Sequence, residues 1–167
     1  FDTIAAVATA PGEAGIGIVR ISGEKSIELV DKIFRSKNEK KLSDFQERRL
    51  TYGYIIDPET NKKIDEVLAV YMKAPYTYTK EDIVEINCHG GIIPVRRILE
   101  IVLENGARLA EPGEFTKRAF LNGRIDLAQA EAIMDMISAK TDKGFDIALG
   151  QLEGTLSKKV SEIRDII

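Results

Sequence analysis

Apolar positions in the first 110 residues follow two periods in turn. Where they alternate they predict strands, and where they recur every three or four residues they predict helices. Residues 3–9 are β-branched and apolar and predict a strand that Ala10-Pro11-Gly12 ends. Residues 16–22 predict a second strand. Residues 23–26 then open a helix carrying Ile27, Val30, Ile33 and Phe34 on one face. Residues 37–47 are polar and predict a loop. Residues 50–56 and 66–72 predict strands, and the turn residues Asp57-Pro58-Glu59-Thr60-Asn61 between them predict a hairpin. After a loop at 75–78, residues 83–88 predict another strand. Its alternation sets Ile83, Glu85 and Asn87 on one side, and Val84, Ile86 and Cys88 on the other. Gly90-Gly91 leads into a helix with Pro94 in its first turn, running through Ile98, Leu99 and Val102 to an Asn105-Gly106 cap. The sum is an α+β domain, a mixed sheet of about five strands with packed helices.

The pattern changes further on. Pro112-Gly113 interrupts the chain, and residues 114–121 predict a short helix with Phe115, Ala119 and Phe120 on one face. Asn122-Gly123 is a stop signal, and Asp126 with Gln129 three residues later forms the capping-box pattern of a new helix start. From there the pattern is helical only. Leu127, Ala130, Met134 and Ile137 form one stripe; Phe145, Leu149, Leu152, Leu156, Val160, Ile163 and Ile167 form a second, with the spacing of a bundle seam. The seam reaches the last residue without a stop, so the expectation is the opening of a longer helical domain. The expected division is residues 1–121 and residues 122–167.

Composition narrows the function. The chain has 167 residues and one cysteine, which excludes an internal disulfide and fits a reducing, cytoplasmic setting. It shows no apolar run that spans a bilayer and no signal-peptide pattern at its start. A net charge of −3 argues against gripping RNA by bulk charge. Basic clusters at residues 35–41 and Arg48-Arg49 are mixed with acids and read as a solvated loop, with Phe45 the one aromatic between them. Gly15-Ile16-Gly17 lacks the third glycine of a dinucleotide fingerprint, and Gly23-Glu24-Lys25-Ser26 lacks the spacing of a phosphate loop. Cys88-His89 reads as a packed cysteine and a structural histidine, because neighbours on a strand face opposite sides. Neither a catalytic nor a metal site is expected.

Three charged residues remain. Glu85 and Arg20 each sit inside an apolar strand, and Arg124 sits at the corner between two helices. A carboxylate held there can pair with a cation or accept two parallel N–H bonds from a planar ligand edge. A cation there can close that pair or hold a polar group of a ligand. The residues alone leave both readings open, and Arg124 can equally be a surface charge at a helix end.

Three stretches carry a family resemblance. They are the opening Asp2-Thr3-Ile4-Ala5-Ala6-Val7-Ala8-Thr9 with Gly15-Ile16-Gly17-Ile18-Val19-Arg20-Ile21-Ser22-Gly23, the central run from Tyr78 to Gly91, and the run from Ala110 to Met134. Together they resemble the N-terminal region of the MnmE (TrmE) family of tRNA-modification GTPases. The resemblance implies a folate-binding fold similar to that of the glycine-cleavage aminomethyltransferase, followed by the start of an all-helical domain. It implies binding of a tetrahydrofolate derivative, 5-formyl- or 5,10-methylene-tetrahydrofolate, and self-association as a homodimer. It places the folate contacts on Arg20, Glu85 and Arg124, the last an arginine where the family has lysine. It implies work with the flavoprotein MnmG (GidA) on carbon 5 of the wobble uridine of tRNA. The family's GTP, magnesium and potassium sites belong to a GTPase domain that has no counterpart in this sequence, so this chain is expected to bind and not to catalyse alone. Two other readings are a dimerisation scaffold without ligand and a stand-alone folate-dependent aminomethyltransferase.

Overall fold

A computed structural model describes residues 1–166, with the side chains of residues 155–157 outside the description. The chain forms two compact units, Phe1–Pro112 and Gly113–Ile167. The first is α+β, with a mixed sheet of seven strands. In chain order the elements are β1 (Ile4–Val7), β2 (Ala14–Ser22), α1 (Ser26–Ile33), β3 (Phe34–Arg35), a single 3-10 turn (Leu42–Asp44), β4 (Thr51–Ile56), β5 (Lys63–Met72), β6 (Ile83–Gly90), α2 (Ile92–Glu104) and β7 (Arg108–Leu109). The strand order is β3-β4-β5-β6-β2-β1-β7, antiparallel except for the parallel pairing of β1 with β7.

The five strands legible from alternation are present, with β4 and β5 paired as a hairpin. The two extra strands, β3 and β7, have two residues each and are too short to show a period. β3 also corrects the first helix. Phe34 does not extend the apolar face of α1; it leaves the helix in an extended conformation and pairs with Ile55 of β4. Leu29 takes the buried position on α1 instead, beside Val30 and Ile33. The loop that follows is less polar than it reads. Leu42 on the 3-10 turn is fully buried, and Tyr71 Oη donates to the Phe45 carbonyl at 2.6 Å.

α1 and α2 pack on one face of the sheet. The core there joins Val19 and Ile21 of β2, Ala69 of β5, and Val84 and Ile86 of β6 to Val30, Ile33, Ile98 and Val102 of the helices. Burial at roughly 25 cal/mol per Å² of apolar surface makes this face the main source of stability. Gly53 on β4 is set by packing. A Cβ there would lie 2.4 Å from Phe34 Cζ and 2.6 Å from the Arg35 carbonyl oxygen, so β3 can close on β4 only over a glycine.

The sheet forks at its centre. β5 and β6 pair from Met72↔Ile83 to Leu68↔Asn87 and then part, β5 continuing with β4 and β6 with β2. Asp65 bridges the fork. Its Oδ2 accepts the His89 backbone N–H at 3.0 Å, and its Oδ1 lies 2.7 Å from His89 Nδ1. That carboxylate raises the His89 imidazole above its ordinary value of 6.5, burial opposing weakly.

The second unit is helical: α3 (Glu114–Leu121), α4 (Leu127–Ser138), α5 (Asp142–Leu152) and α6 (Thr155–Ile166). The capping box at Asp126 is formed in both directions, at 2.9 and 2.8 Å. Gln129 does more than cap. Its Nε2 donates to the Leu152 carbonyl at 3.0 Å, tying the start of α4 to the end of α5. Two details go beyond the sequence pattern. The long seam is not one helix, because Gly154, at φ +90°, separates α5 from α6. The apolar stripe of α4 also faces outward: Leu127, Met134 and Ile137 are exposed, and the position that packs inward is Ala132, matched by Ala148 on α5. Ile167 and the Leu156 side chain, expected in the seam, lie outside the described residues.

Two predictions follow from the packing and the fork. Gly53→Ala should lower stability by about 1–3 kcal/mol, read by chemical denaturation, because Phe34 and a backbone carbonyl must both give way; an unchanged midpoint would contradict the close approach. By NMR the His89 ring should titrate above 6.5 and return toward it in Asp65→Asn. A folded value raised above the unfolded one stabilises fully below the unfolded value, and the contribution is lost as pH rises through the folded value. A midpoint at or below 6.5 would contradict the bridge.

Candidate functional site

The face of the sheet opposite α1 and α2 carries two of the three charged residues singled out in the sequence, Arg20 and Glu85. β2 and β6 pair so that Arg20 lies directly opposite Glu85, with Ala6 of β1 and Val70 of β5 next in the same row. Cross-strand partners share a face, so the register alone brings the two charges together. Arg20 Nη2 and Glu85 Oε2 are 3.5 Å apart. The side chains keep 28% and 23% of their surface exposed. A charge-assisted N–H···O bond usually closes to about 2.7–2.9 Å, so this is a loose pair in which the carboxylate retains acceptor capacity.

The loop between β5 and β6 adds a third group. Arg20 Cζ lies 5.5 Å from the centre of the Tyr78 ring, within cation–π range. The loop is pinned from below. Buried Ser22, two residues past Arg20 on β2, donates to Glu81 Oε1 at 2.8 Å, and its Oγ lies 2.7 Å from Thr79 Oγ1. With the Ser22 proton used on Glu81, Thr79 supplies the donor of the second bond. Gly23 N–H and Ser26 Oγ both donate to the Asp82 carbonyl at 2.9 Å, fastening the far end of the loop. Tyr78 was not singled out from sequence, because a loop residue shows no period; its place in the central run was the available signal.

Further along the same face is a hollow of about 290 Å³ lined by Ile16, Tyr52, Glu66, Leu68, Asn87 and His89 among others. Asn87 lies two residues from Glu85 on the same side of β6. Arg124 belongs to the second unit, at the corner between α3 and α4, where it is exposed and its backbone N–H donates to the Ala119 carbonyl at 2.9 Å.

Cys88 and His89 turn apart. Cys88 Sγ is buried and donates to the Gly17 carbonyl at 3.3 Å, while the His89 ring is exposed and engages Asp65. Burial first, and Asp65 second, push the Cys88 thiol up to about 11, which keeps it protonated and poorly nucleophilic at neutral pH. Among the described residues, no group of three or more His, Cys, Asp or Glu is placed to hold a metal ion, and no helix is long and apolar enough to cross a membrane.

Comparison with known proteins agrees along the whole chain. Residues 3–124 match the family model described as GTP-binding protein TrmE N-terminus, and residues 127–167 match the MnmE helical domain. The chain is 77% identical over 164 residues to the tRNA modification GTPase MnmE of Alkaliphilus oremlandii, covering 98% of this chain and 36% of that protein. It is 57% identical over 167 residues to the protein of that name in Geobacillus kaustophilus, covering 100% of this chain and 36% of the relative. With the relative in Clostridioides difficile the identity is 60%, over 98% of this chain and 35% of that protein. The chain thus spans about a third of the length of these relatives. Two family models that together cover nearly every residue, and relatives this similar, establish that the chain belongs to the MnmE (TrmE) family.

Proposed function

We propose that this chain is the folate-binding and self-associating part of a tRNA-modifying GTPase. Glu85 receives the pterin edge of a tetrahydrofolate derivative, 5-formyl- or 5,10-methylene-tetrahydrofolate, and Arg20 holds a polar group of the ligand. The observation that carries this reading is the Arg20–Glu85 pair, half-buried, loosely closed at 3.5 Å and bordered by the Tyr78 ring. A pterin offers two parallel N–H donors that a carboxylate can accept together, and such bidentate contacts fix orientation as well as adding energy. The family resemblance assigns Arg124 to the ligand as well, with a planar fork where the family has a point charge.

In the same reading the chain forms a homodimer and works in the cytoplasm with the flavoprotein MnmG (GidA) on carbon 5 of the wobble uridine. The relatives' name supports the tRNA setting. GTP, magnesium and potassium would act in the part of the relatives beyond this chain, whose sequence has no phosphate-binding loop. This chain's share is to hold the one-carbon donor.

A second reading has one observation in its favour, because the two charges already lie within ion-pair distance of each other. Glu85 and Arg20 then serve only to join β2 and β6, and the chain is a scaffold.

Calorimetric titration with 5-formyltetrahydrofolate separates the two. Saturable binding is expected, at least about tenfold weaker in Glu85→Gln and in Arg20→Ala, as for loss of a hydrogen bond to a charged group. Removing a partly exposed, loosely closed pair should cost no more than about 1 kcal/mol of stability, so both variants stay folded. Arg124→Ala tests its contact separately. No heat of binding from the folded parent chain would leave the scaffold.

A further inference from the structure

The basic clusters at residues 35–41 and 48–49 are apart in sequence and meet in the structure. They flank a cavity of about 440 Å³ at the end of the β3–β4 edge, whose lining includes Lys37, Asn38, Phe45, Gln46, Arg49 and Tyr52. Six basic and three acidic residues lie between 35 and 49, a local charge of +3 in a chain whose net charge is −3. Three of the four acids nearby accept from backbone N–H groups. Asp44 accepts from Lys41 N–H, Glu47 from Lys73 N–H and Asp31 from Ser43 N–H, each at 3.0 Å. Lys37 and Arg49 make no ion pair among the described residues. Asp31, Asp44 and Glu47 therefore brace the loops while Lys37 and Arg49 remain available at the cavity.

The aromatic rim is also braced. The exposed Tyr52 ring packs edge-on against Tyr54 with centres 5.8 Å apart, and its hydroxyl donates to Glu66 Oε2 at 2.9 Å. Lys63 Nζ sits 4.0 Å from the Tyr54 ring centre. A fixed ring beside two cations, with the amides of Asn38 and Gln46 in the same wall, suits a nucleotide unit. The ring stacks an unpaired base, the cations take its phosphates and the amides meet base edges.

We propose that this cavity is a contact site for single-stranded RNA, separate from the Arg20–Glu85 pair. It does not depend on folate binding. An acidic protein segment would use the cations but not the ring, which is why RNA is favoured.

The test is fluorescence anisotropy of a labelled oligouridylate against this chain, over a series of salt concentrations. Weak, saturable binding is expected, with a log–log salt slope of about −1.4 for two phosphate contacts on a single strand. Lys37→Ala/Arg49→Ala should flatten that slope and weaken binding. Tyr52→Ala should weaken binding about tenfold or more with the slope kept, and Tyr52→Phe should bind as the parent chain does. Glu85→Gln should leave oligouridylate binding unchanged, so failure of the folate reading stays distinguishable. Circular dichroism confirms that each variant is folded. Binding that is absent, or unchanged in the double variant, would overturn the proposal. So would displacement by polyglutamate with Tyr52→Ala unaffected, which would reassign the surface to acidic protein.

Discussion

The antiparallel pairing of β2 with β6 fixes most of what is particular to the first unit. From Ser22↔Ile83 to Ala14↔Gly90 it puts Val19 opposite Ile86 and Ile21 opposite Val84 on the face under α1 and α2, and Arg20 opposite Glu85 on the other. A slip of one residue would carry every one of these side chains to the wrong face. Burial of the apolar set therefore selects the register, and the register delivers the charged pair without a dedicated device. The pair is a consequence of core packing, which is why its loose geometry costs the fold little.

The same logic explains how much of the molecule is legible in the sequence. Alternation over 83–88 separates Glu85 from Ile86 correctly, and the Asp126–Gln129 capping box forms in both directions, because each is a local pattern with a local cause. Contact between Arg20 and Glu85 is a matter of register between strands 65 residues apart, and one strand's period is silent about its neighbour. The misses have the same origin. Phe34 has a helical spacing but is claimed by β4, Leu42 is buried by a tertiary contact inside a polar stretch, and the fork bridged by Asp65 exists only once three strands are assembled. In the helical unit the apolar stripe is real, yet Ala132 and Ala148 pack inward because small residues let α4 and α5 approach closely, leaving the large side chains outside.

Charge is distributed with similar economy. A chain of net −3 still gathers a basic patch at residues 35–49, where six basic residues outnumber three acidic ones and two of those acids, Asp44 and Glu47, are turned toward backbone N–H groups. The acidic total that argues against bulk attraction to RNA does not forbid a small cradle built on Lys37, Arg49 and Tyr52. The first unit thus presents two distinct chemistries, a carboxylate–guanidinium pair suited to a planar ligand and a cationic pocket with an aromatic rim.

The most direct test of the central claim, that the register sets a charge pair whose polarity a ligand reads, is the charge-swapped chain Arg20→Glu/Glu85→Arg beside its two single variants. Thermal midpoint and affinity for 5-formyltetrahydrofolate are measured on all of them. Each single variant faces like charges across β2 and β6 and should lose stability, and the swap should restore it. Folate binding should be lost in all three: in Glu85→Arg and in the swap the pterin's donors meet a guanidinium, and in Arg20→Glu the cation that holds the ligand's polar group is replaced by a second carboxylate. Recovery of folate binding with the swap would contradict the assignment of Glu85, and failure of the swap to recover stability would contradict the pair itself.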